Sequence, residues 1–133
     1  MLNLFPTMFL SLFAHALLRI TLGTVFIYLG YRHLVKDRVP LEAALANHWP
    51  SATRFAIRYL GVIQIIIGGM FFVGAYTQVA AIAAIVLSIK MLALRRYLAH
   101  PAIPQPLFYV LTLGISGSLF ITGAGVLAFD LPL

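Results

Sequence analysis

The chain has no cysteine, which excludes disulfides, thiolate nucleophiles, thiolate metal sites and cysteine-ligated iron–sulfur clusters. It also excludes a dithiol relay, so any redox role must borrow its electron carrier. Carboxylates are almost as scarce. Asp37, Glu42 and Asp130 are the only three, against nine Lys and Arg, and none lies within an apolar run. Proton-coupled carriers rely on intramembrane ionisable relays, most often carboxylates, so that class fits poorly. Charged residues make up 9% of the chain and apolar ones 62%, where soluble domains have about 25% and about 45–50%. A soluble domain is excluded.

What is present comes in four long apolar runs, about 8–34, 55–76, 78–98 and 106–129. A spanning helix needs roughly 20 mostly apolar residues. The chain therefore reads as one integral membrane domain over 1–133, an all-α transmembrane four-helix bundle with short loops. Ala14-His15-Ala16 has the form of a signal-peptide cleavage site. No Lys or Arg precedes it and the apolar run continues through Leu29, so the segment reads as helix. Gly74 and Thr77 mark a tight turn, and Pro101, Pro104 and Pro106 break the chain before the fourth run. Only the first connection is long. Its segment from Pro40 to Leu45 suits a short helix with Pro in the first turn. That helix either lies on the membrane surface, with Trp49 in the headgroup zone, or forms a lid over a pocket.

A net charge of +6 would suggest a nucleic-acid partner in a soluble protein. Here the bases sit beside membrane exits, where the bilayer itself accounts for them and no nucleic acid is expected. Arg32, Lys36, Arg38, Arg54 and Arg58 flank the first connection, and Arg95 and Arg96 precede the third. The turn between the second and third runs has no Lys or Arg. Positive-inside bias then predicts both basic loops in the cytoplasm, with N- and C-termini outside.

Polar side chains at membrane depth are the candidates for chemistry. Counting about 1.5 Å per residue, Gln64, Lys90 and Ser116 fall roughly 12–15 Å from the basic end, with Tyr28 somewhat shallower. If all four face inward they form one ligand-binding layer. Lys90 has two readings: an interior, ligand-facing amine, or a stem snorkelling to the headgroups. Gln64 is either ligand-binding or glue between helices. Arg19 lies toward the opposite face, where an ion pair with Asp130 would clamp the first helix to the fourth. Gly114, Ser118 and Thr122 form a small-residue ladder, and Gly68 with Gly69 and Ala80 with Ala84 are similar. Such residues permit close packing within the bundle, or a seam between copies in a homo-oligomer. His33, His48 and His100 fall near the basic surface and His15 toward the other, so neither haem nor a metal site is expected.

Several segments resemble the DoxX family of small four-helix membrane proteins. Leu17-Leu18-Arg19-Ile20-Thr21-Leu22-Gly23, followed by Phe26 and Gly30, is similar to that family's first helix. The segment from Gly68 to Thr77, with Ala80 and Ala81, resembles its glycine-rich second helix and turn. Gly123-Ala124-Gly125, ending at Asp130, resembles its closing motif. The chain departs at two positions, with Gln64 where the family usually has glutamate and His33 where it often has lysine. The resemblance implies a membrane subunit of a redox assembly in a bacterial or archaeal cytoplasmic membrane. It further implies an oxidoreductase protein partner and a quinone as ligand. On that reading Lys90 and Gln64 donate to a quinone carbonyl, Tyr28 and Ser116 complete the site, and no catalytic residue is assigned. Two alternatives stand beside it: a non-catalytic scaffold or cargo adaptor, as distant relatives imply, and a small solute carrier, which the size of the chain suits.

Overall fold

A computed structural model describes residues 7–46, 53–97 and 103–123. Most of these residues are helical, with no strand among them. Helix α1 spans Thr7–Tyr31 and runs into a π-helical turn, Arg32–Lys36. Helices α2 (Arg38–Ala46), α3 (Thr53–Val73), α4 (Thr77–Tyr97) and α5 (Pro106–Thr122) follow. Three helical stretches, Phe13–Lys36, Phe55–Val73 and Thr77–Arg96, are long and apolar enough to cross a membrane, which marks an integral membrane protein. Helix α5 is apolar and 17 residues long, about 25 Å.

The long helices bury a seam that repeats every 3.5 residues. On α1 it is Ala16, Arg19, Gly23, Phe26, Gly30 and His33; on α3, Ile57, Gly61, Gln64, Gly68 and Phe71. On α4 it is Thr77, Ala81, Ala84, Ser88 and Met91; on α5, Tyr109, Thr112, Ser116 and Leu119. This is the knobs-into-holes period. The opposite faces carry Ile66, Val79, Ile82, Val86 and Leu111, all exposed. Apolar side chains pointing outward suit a lipid solvent.

Two of the helix pairs pack most extensively, α1 on α3 and α4 on α5. Sparser contacts between α3 and α4 and between α1 and α5 join the pairs. Glycine sets the first pairing. A Cβ on Gly23 would lie 2.8 Å from the Gly68 carbonyl oxygen, and one on Gly68 would lie 2.7 Å from that of Gly23. Gly30 meets Gly61 in the same way, with 2.7 Å from its Cβ position to the Gly61 oxygen. Two glycine pairs spaced by seven residues fix the antiparallel register, and backbones this close gain Cα–H···O contacts.

The Gly114 ladder behaves differently. A Cβ at Gly114 would meet nothing within 4 Å, and Gly114, Ser118 and Thr122 are all exposed. The expectation that this ladder packs inside the bundle is corrected: it lies on the outer face of α5, off the Thr112–Ser116–Leu119 seam. Ala80 and Ala84 do pack, at 0% exposure, whereas Gly69 has open space.

Helix α3 ends where Gly74, at φ 74°, and Ala75 both donate their N–H to the Met70 carbonyl, a glycine-terminated cap. At the other end, the Asp37 N–H donates to Arg32 O (2.8 Å), the five-residue closure of the π turn. Arg32 pairs with Asp37 at 2.6 Å and Arg38 with Glu42 at 2.9 Å, tying the turn to α2. Helix α2 buries Leu41 and Leu45 against Ile57, Met91, Ile103 and Tyr109. It thus packs across the basic end of the molecule. Arg95 donates to the carbonyls of Ile103 and Pro104, holding the chain that leads into α5.

Candidate functional site

Helices α1, α3, α4 and α5 each contribute polar side chains to the interior. The π turn keeps His33 on the α1 seam at 0% exposure, where its Nδ1 lies 2.7 Å from Gln64 Oε1. An amide oxygen only accepts, so Nδ1 carries the proton and donates. In a neutral ring Nε2 is then the acceptor nitrogen. The same bond leaves the two N–H groups of the Gln64 amide as donors.

A second chain of bonds joins α4 to α5. Thr112 Oγ1 donates to Tyr109 O at 2.9 Å and lies 3.1 Å from Ser88 Oγ. Threonine has one hydroxyl proton. Ser88 is therefore the donor in the second contact, and its own lone pairs remain as acceptors. Tyr109 Oη and Ser116 Oγ are buried and have no hydrogen-bond partner among the described residues. A buried hydroxyl left in that state costs about 1–3 kcal/mol. Natural structures tolerate few of them, and each calls for an explanation.

Gln64, Ser88 and Tyr109 line one cleft. Phe26, Leu29 and Gln64 form the wall from α1 and α3; Leu87, Ser88, Met91, Phe108 and Tyr109 form the wall from α4 and α5. The cleft thus lies between the two helix pairs, where their packing is sparsest. It encloses about 200 Å³ between atoms, partly open to the surroundings, and is too narrow for a water molecule. Ligand pockets hold about 300–1,000 Å³. The cleft is too narrow, as it stands, to hold a ligand of that size.

The expected layer is therefore only partly assembled. Gln64 is 1% exposed and lines the cleft. Ser116 is buried but stands seven residues beyond Tyr109, outside the lining. Tyr28 is 59% exposed and Lys90 is exposed. Both stand at a suitable depth and on the wrong side of their helices: Tyr28 falls between Phe26 and Leu29, Lys90 between Ser88 and Met91. Depth along a helix fixes level, whereas rotation about its axis decides facing. His33, at the basic end of α1, is buried and bonded to Gln64, a contact that was not anticipated. Ser88, Thr112 and Tyr109 were not anticipated, although their 3.5-residue spacing was there to be read.

Arg19 is buried at 1% exposure, level with the last turn of α3 by the glycine register. Its expected partner Asp130 lies outside the described residues, as do His48, Trp49 and His100. No group of three or more His, Asp or Glu able to hold a metal occurs among the described residues. In comparisons with known proteins, the chain matches no family model, no curated protein and no solved structure.

Proposed function

We propose that the chain is a DoxX-like membrane subunit of a redox assembly that binds a lipid-soluble, carbonyl-bearing ligand of the quinone type. The observation that carries this reading is the donor set at the cleft. Gln64 and Tyr109 line the same narrow space from opposite walls, and the Tyr109 hydroxyl has no partner among the described residues. Two donor-bearing residues facing each other across apolar side chains suit a flat apolar ring bearing carbonyl oxygens. A bound quinone would supply the electron chemistry, which this cysteine-free chain lacks. The chain's own residues bind and orient: Tyr109 and Gln64 donate, and His33 holds the Gln64 amide in place. Lys90 and Tyr28 have no part in the site. Binding requires the two helix pairs to part, and the sparse α1–α5 and α3–α4 contacts are where they do so. Measuring quinone retained by the purified protein, with and without these two donors, tests the reading.

The narrowness of the cleft favours one other reading, a scaffold whose polar seam is packing alone. In that case Gln64 and Tyr109 variants alter stability, and no small molecule co-purifies.

In the membrane, the basic end faces the cytoplasm. Reporter fusions are expected to place residues 35–51 in the cytoplasm and both termini outside. A reporter active outside when fused within 35–51 would contradict that orientation.

A further inference from the structure

The cations at the basic end outnumber their carboxylates, and the pairing is uneven. Arg32 is held by Asp37 and Arg38 by Glu42, while Arg95 is turned onto two backbone carbonyls. Lys36, Arg58 and Arg96 are exposed, and none has a carboxylate partner among the described residues. They share this end with exposed Tyr31, Phe55 and Tyr59. Rings of that kind settle at the headgroup level of a bilayer.

Lys90 belongs with this set. On α4 the outward stripe runs Val79, Ile82, Val86, Lys90, Ala93 and Arg96, all exposed. Lys90 is thus the deepest cation on a face otherwise covered by lipid chains. It lies six residues below Arg96, about 9 Å. Its four-carbon stem can carry the ammonium much of that distance upward along the helix. No carboxylate pairs with it among the described residues. An uncompensated cation on a lipid-facing stripe is expensive, and its neutralisation must come from outside the chain.

We propose that Lys36, Arg58, Lys90 and Arg96 form a cationic collar that binds the phosphate headgroups of anionic phospholipids, with Lys90 reaching the phosphate from below. Charge complementarity selects the occupant. Zwitterionic lipids offer the same phosphate with a compensating ammonium, whereas phosphatidylglycerol and its dimeric relatives leave the negative charge available. The aromatic rings place the protein at the right height, and the lipid-facing position of Lys90 excludes a water-borne anion as its partner. This proposal does not depend on what occupies the interior cleft.

The test is native mass spectrometry of the protein released from nanodiscs of equal phosphatidylglycerol and phosphatidylcholine. Wild-type protein is expected to retain phosphatidylglycerol in clear excess over phosphatidylcholine. Lys90→Gln should cut that preference about fivefold, the factor equivalent to about 1 kcal/mol per basic side chain near the surface. Lys36→Gln with Arg58→Gln should reduce it further, and raising the ionic strength should weaken it in the wild type. All these side chains are exposed, and unchanged helical circular dichroism checks that the variants fold. Retained lipid that mirrors the bulk mixture would overturn the proposal, as it would if the collar served an acidic protein instead. So would a Lys90→Gln variant with undiminished preference.

Discussion

Gly68→Leu is expected to destabilise the protein by about 3 kcal/mol or more, whereas Gly69→Ala, one position along, costs nothing. A Cβ at Gly68 would sit 2.7 Å from the Gly23 carbonyl oxygen and 2.8 Å from the Ile27 nitrogen. Both are backbone atoms of α1, so no rotamer change relieves the clash. The helices must separate, losing the register that Gly30 and Gly61 share. Overpacking usually costs about 1–3 kcal/mol where side chains can yield, and here they cannot. At Gly69 a Cβ meets nothing within 4 Å. Alanine there gains the helix preference over glycine, roughly 0.5–1 kcal/mol. Thermal unfolding in detergent compares the two directly. Equal melting temperatures would show that α1 and α3 do not meet at these glycines.

Tyr109→Phe is expected to leave stability unchanged or raised while weakening retention of a quinone-type ligand about three- to tenfold. The hydroxyl lost has no partner among the described residues, so its removal relieves a buried unsatisfied group. A ligand carbonyl would lose one donor, worth about 0.5–1.5 kcal/mol. Gln64→Glu separates structure from binding at the other wall. Glutamate still accepts from His33 Nδ1 yet has no N–H to donate, so the fold should persist and binding should fall. Gln64→Leu removes both functions and leaves His33 without its acceptor, at a further cost of about 1–3 kcal/mol. Combining Tyr109→Phe with Gln64→Glu should weaken binding about ten- to a hundredfold. If Tyr109→Phe instead destabilises the protein, its hydroxyl has a structural role and the ligand reading fails at that residue.

Much of the architecture could be read from the chain. The four apolar runs gave the helices to within a few residues at most of their described ends. The turn at Gly74 and the helix start at Pro106 followed from glycine and proline chemistry. The interior was harder to read, for a reason visible at Lys90 and Gln64. Both stand at mid-depth, but only Gln64 falls on the 3.5-residue seam with Gly61, Gly68 and Phe71. Composition and depth cannot separate them, and seam phase can. The same phase places His33 after Gly23, Phe26 and Gly30. What sequence could not supply was the π turn that begins at Arg32, or that His33 and Gln64 would bond to each other. The Gly114 ladder shows the converse error, since small residues at regular spacing say nothing about which side they face.

The most direct measurement is mass spectrometry of small molecules retained by the protein after gentle extraction from its own membrane. It should be run side by side on the wild type and the Tyr109→Phe, Gln64→Glu double variant. The account predicts near-stoichiometric quinone on the wild type, loss of most of it from a folded double variant, and full retention by Lys90→Gln. Wild-type protein that carries no quinone, or a double variant that keeps all of it, would contradict the assignment of the cleft.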